Sequence, residues 1–292
     1  MSFRSIEEII NQSNATNKFF WETVLADDME ERMVTAQESF QQMKQLYLTM
    51  KSSDKAYDKN LKSSSGLVGG DGEKMNRAVR ENKVIGGPFL GDVIAKALKM
   101  GESNACMKKI VAAPTAGACG VLPAVLLTYE EKNQIPLERM VEAMYVASGV
   151  GEVIAARAFI SGAAGGCQAE IGSASAMAAG ALAYLNGGDA ASIGHAAAMS
   201  LKNLLGLVCD TVGGLVEVPC VKRNVVGSVN AIACADMAVA GICSRIPVDE
   251  VIDAMRDIGE SLPRTLRETG EGGLGATPTG REIMASIMSE NE

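Results

Sequence analysis

Apolar residues recur every three or four positions at Leu25, Met29, Met33, Ala36, Phe40, Met43, Leu46 and Met50. That spacing gathers them on one helix face. It predicts one long helix over residues 18–50, packed against the body of the molecule or a partner. Ahead of it, Ser5-Ile-Glu-Glu8 fits a capping box, in which hydroxyl and carboxylate satisfy free N–H groups at a helix start. From 137 to 205 the pattern changes. Three pieces, 137–150, 171–185 and 189–205, are apolar on nearly every side and separated by glycines. Helices of that kind are buried, so these three are predicted to form the centre of the fold. None reads as a membrane span, because Glu142, Glu152 and Arg157 interrupt the first region and glycines break the others.

The remaining pattern is also helical. A short helix is expected over 92–101, after the punctuated stretch Gly86-Gly-Pro-Phe-Leu-Gly91. A turn from Pro114 to Gly120 leads into an apolar helix whose first turn suits Pro123. Further helices are expected over 227–241 and from Pro247 onward. The stretch 269–280, rich in glycine and threonine, reads as a closing loop. The expected architecture is all-α: a single large helical domain with buried Ala/Gly-rich central helices. Residues 1–60 form a helical lead-in, continuous with a main portion over 61–292.

Composition supports this picture. Hydrophobic residues make up 47% of the 292 positions but aromatics only 4%, so Ala, Val, Ile, Leu and 16 Met carry the core. Small and unbranched residues lose little rotamer freedom in a helix. The formal net charge of −8 argues against nucleic acid or an anionic membrane as the main partner. The N-terminus carries acid where a secretory signal would carry an apolar run, which predicts a cytoplasmic protein. Seven cysteines, an odd count in a long chain, do not suggest a disulfide framework. None of them forms Cys-x-x-Cys, which weakens zinc-ribbon, thioredoxin and ferredoxin readings.

Two segments suggest anion binding. Lys62-Ser-Ser-Ser-Gly-Leu-Val-Gly-Gly-Asp-Gly72 is a flexible linker or a binder of carboxylate or phosphate through hydroxyls and backbone N–H groups. It lacks the order of a P-loop and the preceding strand of a dinucleotide fingerprint. The Pro114–Gly120 turn adds Thr115 and a helix start. His195, the sole histidine, sits on an expected helix and reads as a packed or surface side chain. Lys222, Arg223 and Asn224 supply two cations and an amide beside Cys220, suited to neutralising a cluster or a carboxylate.

Cysteine is by default a small core residue, and Cys106, Cys234 and Cys243 fit that role. Cys119, in the turn, is ambiguous. Cys167, Cys209 and Cys220 each lie beside glycines or proline that can aim a thiolate. They read either as buried core thiols or as ligands of a soft metal or cluster. A cluster held by three thiolates leaves one iron open as a Lewis acid.

Five segments together resemble the alpha subunit of the two-subunit bacterial iron–sulfur L-serine dehydratases. They are Lys62-Ser-Ser-Ser-Gly66, Ala113-Pro-Thr-Ala-Gly-Ala-Cys-Gly120, Gly166-Cys-Gln-Ala-Glu-Ile-Gly-Ser-Ala174, the run from Leu207 to Cys220, and Glu271-Gly-Gly-Leu-Gly275. The resemblance spans nearly the whole chain. It implies a [4Fe–4S] cluster on Cys167, Cys209 and Cys220, and a substrate site lined by Ser63, Ser64, Ser65, Thr115 and Gly117. It implies conversion of L-serine to pyruvate and ammonia. In single-chain members an extra N-terminal domain carries the histidines expected to act as base. Here that portion would be a separate beta subunit, giving a hetero-oligomer. Thr211 departs from the family pattern, in which proline commonly follows Cys-Asp. Two alternatives remain: a non-catalytic helical iron–sulfur sensor or assembly protein, and a pyridoxal phosphate lyase using Lys62 beside the serines.

Overall fold

The computed structural model describes residues 2–289. Thirteen α-helices are formed among them, joined by short turns, with no strand. In chain order these are α1 (Ile6–Thr16), α2 (Phe20–Arg32), α3 (Ala36–Lys55), α4 (Asp71–Arg80), α5 (Gly87–Ala105), α6 (Val121–Asn133) and α7 (Leu137–Arg157). They continue with α8 (Gly162–Gly165), α9 (Ser173–Leu185), α10 (Ala190–Leu204), α11 (Cys220–Val239), α12 (Val248–Ser261) and α13 (Pro278–Ser289). The all-α architecture expected from the sequence is formed. No described helix is long and apolar enough to cross a membrane.

The centre is α9, Ser-Ala-Ser-Ala-Met-Ala-Ala-Gly-Ala-Leu-Ala-Tyr-Leu, buried from Ser173 to Tyr184. It packs against α6, α7, α10 and α11. Its small residues explain why so many helices reach it. A Cβ at Gly180 would stand 3.3 Å from side-chain carbons of both Ile193 and Val150, so α10 and α7 approach its backbone closely. Close packing at that density is what makes single-methyl changes costly in such cores. A polar seam crosses the contact between α9, α10 and α11. Ser200 donates to Ser175 at 2.8 Å and Ser175 donates to the Gly227 carbonyl at 2.7 Å. These bonds satisfy hydroxyls that would otherwise be costly to bury.

Several boundaries differ from the sequence expectation. The stripe over 18–50 is two helices. Met33 takes a left-handed conformation and is 92% exposed, ending α2. Thr35 and Glu38 then form a reciprocal capping box that starts α3. At the N-terminus, Ser5 accepts from the Glu8 N–H, but the Glu8 carboxylate takes the Arg4 N–H, one residue before the expected partner. The expected 92–101 helix starts earlier, at Gly87, because Pro88 fits a first turn, where its missing N–H costs nothing. The end of the supposed linker is helical: α4 begins at Asp71. The helix expected from 227 begins at Cys220, directly after Pro219. The closing loop runs only to Thr277, and α13 follows it.

Candidate active site

Four backbone segments converge around the three cysteines predicted to be ligands. Cys167 follows Gly166, whose left-handed φ of 78° turns the chain out of α8. Cys167 opens onto a π-helical turn, Gln168–Gly172, that runs into α9. Single π-turns inside helices widen the ladder and re-aim side chains. Cys209 lies on an isolated parallel bridge with Arg267: its N–H donates to the Leu266 carbonyl at 2.9 Å, and the Glu268 N–H donates back to its carbonyl at 2.7 Å. Cys220 is the first residue of α11. The peptide bonds Ala113–Pro114 and Val218–Pro219 are both cis.

All three thiols are buried, with exposures of 1%, 1% and 4% for Cys167, Cys209 and Cys220. Burial pushes Cys167 up to about 11 and Cys220 up to about 12. Cys209 is also raised, first by burial and then by its neighbours Cys167 and Cys220. The three therefore lie near one another. Close packing walls the Cys209 thiol on one side: a Cβ at Gly162 would stand 2.8 Å from the Cys209 sulfur and 3.2 Å from a carboxylate oxygen of Glu268.

The hydroxyl segments predicted from the sequence are tied to the cysteine segments by carboxylates. Glu217, between Cys209 and Cys220, accepts from Ser63 at 2.9 Å and also from Ser65. Ser64 is exposed. Glu170, three residues after Cys167, accepts from the Thr115 hydroxyl. Its carboxylate lies against Gly117, where a Cβ would stand 2.6 Å from one oxygen and 2.7 Å from the other. A side chain at 117 would push this carboxylate aside. Burial raises the Glu170 carboxyl, the Thr115 bond opposes that shift, and nearby Glu268 adds to it. Asn224 joins the last pieces. Its amide donates to the Gly117 carbonyl at 2.8 Å and to the Cys220 carbonyl at 3.0 Å, and accepts from the Gly120 N–H at 2.8 Å. Among the described residues, the N–H groups of Ala116 and Gly117 have no protein acceptor.

Of the two cations expected beside Cys220, only Arg223 reaches inward. It donates to Asp210 at 2.8 Å and to the Val208 carbonyl at 2.7 Å. Asp210 in turn accepts the Leu274 N–H at 3.0 Å, anchoring the closing loop. Lys222 instead pairs at the surface with Asp71. Lys62 is exposed and donates to the Gly69 carbonyl at 2.6 Å. His195 lines a separate cleft of about 240 Å³ with Glu7, Ile10, Arg245 and Asp249.

Glu170, Glu217 and Glu268 were not singled out by sequence reasoning. A signal existed for the first two: each is the one acid within a run of small or apolar residues. Glu268 is marked by its backbone, a left-handed φ of 64° that is uncommon outside glycine.

Comparison with known proteins gives the chain's family. The sequence profile described as serine dehydratase alpha chain matches residues 15–275. The chain is 47% identical to the probable L-serine dehydratase alpha chain of Bacillus subtilis (strain 168), over 98% of this chain and 95% of that one. It is 39% identical to the L-serine dehydratase alpha chain of Peptoniphilus asaccharolyticus, over 98% of both. Against the L-serine dehydratase TdcG of Escherichia coli (strain K12) it is 41% identical over 61% of this chain, which is 40% of that protein. The chain belongs to the serine dehydratase alpha chain family.

Proposed function

We propose that this chain is the alpha subunit of an L-serine dehydratase that eliminates water from L-serine to give pyruvate and ammonia. Cys167, Cys209 and Cys220 would hold its [4Fe–4S] cluster. The observation that carries this reading is the meeting of three buried thiols with the Thr115–Gly117 turn, through Glu170 and Asn224. The donor set fits the group by its chemistry: three buried thiols are the soft donors that iron–sulfur clusters take, and Arg223 beside Cys167 supplies a positive charge toward an anionic cluster. When bound through three cysteines, such a cluster supplies a Lewis acid that makes the substrate β-hydroxyl a leaving group.

The protein's own groups would do the rest. The free N–H groups of Ala116 and Gly117 and the hydroxyl of Ser64 are available to the serine carboxylate. Ser63 and Ser65, held by Glu217, fix the shape of that loop. A base with a pKa near neutrality removes the α-proton. The sole histidine lies in the separate cleft, so that base belongs to the beta subunit in this reading. Loss of the α-proton and of the β-hydroxyl leaves an aminoacrylate. It tautomerises to an imine, which water hydrolyses to pyruvate and ammonium.

The test is co-expression with the beta partner, anaerobic purification and assay of pyruvate from L-serine. Steady pyruvate formation, with a visible-absorption shift on adding L-serine, is expected. A brown protein that binds iron and sulfide but neither responds to L-serine nor forms pyruvate would establish the sensor reading instead.

A further inference from the structure

L-serine brings an ammonium group as well as a carboxylate and a hydroxyl, and the Thr115–Gly117 turn holds one well-placed counter-charge, the Glu170 carboxylate. Glu170 is 92% buried, being 8% exposed. Among the described residues it has no Lys or Arg partner: its one hydrogen bond comes from the Thr115 hydroxyl. Arg223, the cation beside Cys167, is engaged by Asp210 at 2.8 Å. An ionised carboxylate buried without a cation is costly. The fold nevertheless fixes this one tightly, between the Thr115 hydroxyl and the bare Cα of Gly117. The same turn carries the free N–H groups of Ala116 and Gly117. One end of the turn thus offers donors for a carboxylate, and its Glu170 face offers an acceptor for a cation. That pairing matches the two charged groups of an α-amino acid.

We infer that Glu170 is the residue that recognises the substrate ammonium, and that Thr115 is a positioning residue that aims its carboxylate. This rests on the L-serine dehydratase reading. Glu217 does not share the role, since two serine hydroxyls already occupy it. Glu268 is less buried and contributes negative potential at longer range.

The test uses the anaerobic alpha–beta holoenzyme and two ligands that differ at one group: L-serine, and L-glycerate, in which a hydroxyl replaces the ammonium. Glu170→Gln keeps shape and removes charge. Binding of L-serine, followed by the visible-absorption shift and by KM, should weaken about 10- to 100-fold, the usual worth of a hydrogen bond to a charged group. Competitive inhibition by L-glycerate should change less than about twofold. Glu170→Asp should keep much of the preference for L-serine. Equal weakening of both ligands would mean that Glu170 only holds the turn, and would overturn the inference, as would no change in either. If the Gln variant loses iron or secondary structure, Thr115→Val makes the same comparison, with a smaller loss confined to L-serine. A wild-type holoenzyme that forms no pyruvate would remove the dehydratase reading itself. An active wild type with an unaltered ligand ratio in the variants removes only the role of Glu170.

Discussion

Asn224 is the most economical place to break the candidate site without touching a cysteine or a substrate-facing group. It is 1% exposed on α11 and ties the Thr115–Gly117 turn to the first residue of the helix that carries Cys220. Replacing it with alanine removes three hydrogen bonds. The Cys220 carbonyl keeps its place in the helix ladder, but the Gly120 N–H and the Gly117 carbonyl lose this partner inside a buried region. An orphaned buried polar group costs about 1–3 kcal/mol, so with two of them Asn224→Ala should lose about 2–6 kcal/mol. That is a large share of the stability of a typical domain, about 5–15 kcal/mol. Asn224→Asp separates hydrogen bonding from packing. It keeps the volume but turns an acceptor oxygen toward the carbonyls of Gly117 and Cys220, so it should lose at least as much. The assay is urea unfolding followed by far-UV circular dichroism under anaerobic conditions, with pyruvate formation measured in parallel. A loss below about 1 kcal/mol in both variants, with activity retained, would refute the claim that this amide couples the turn to the cysteine helix.

Three further outcomes follow from individual residues. Burial pushes the Cys119 thiol up to about 12 from an ordinary value of 9.0. Its contribution to stability is therefore full below about pH 9 and is lost as pH rises toward 12. Cys119→Ala should flatten the alkaline fall in stability by up to about 1.4 kcal/mol per pH unit, and an unchanged slope would contradict this. Thr211 is fully buried with a hydroxyl that has no partner, and its backbone at φ −59° and ψ 143° already suits proline. Thr211→Pro should raise stability by about 1 kcal/mol, through the lost orphan and the stiffer unfolded chain; a melting temperature below wild type would show the reasoning wrong. His195→Ala should keep more than about half of the pyruvate-forming activity, because His195 lines a cleft apart from the cysteines. Its loss with iron content intact would move the base into this chain.

The helical class and the buried centre were legible because α9 and its neighbours carry small apolar residues on every face, a pattern only a buried helix tolerates. Helix ends were less legible. The stripe through Met33 has helical spacing, yet Thr35-Ala-Gln-Glu38 is itself a start signal, and the local cap overrode the periodicity. At the site, glycines marked where the chain bends, as at Gly166 and Gly117. They could not say what would press against them. The Glu170 carboxylate against Gly117 brings together residues 53 positions apart, and the Glu217 clasp on Ser63 spans 154. Such pairings depend on the packing of α5, α6 and α11, which no local pattern encodes. The hydroxyls expected to be open to a ligand at Ser63, Ser65 and Thr115 are held by protein carboxylates for the same reason.

The central claim is that Cys167, Cys209 and Cys220 together hold a catalytic iron–sulfur cluster. The direct measurement is iron and acid-labile sulfide per alpha–beta pair, purified without oxygen, in wild type and in three single Cys→Ser variants, each with Cys119→Ser as control. About four iron and four sulfide are expected in wild type and in Cys119→Ser. Each of the other three should lose most of both, together with pyruvate formation. Full iron content and activity in those three variants would contradict the account.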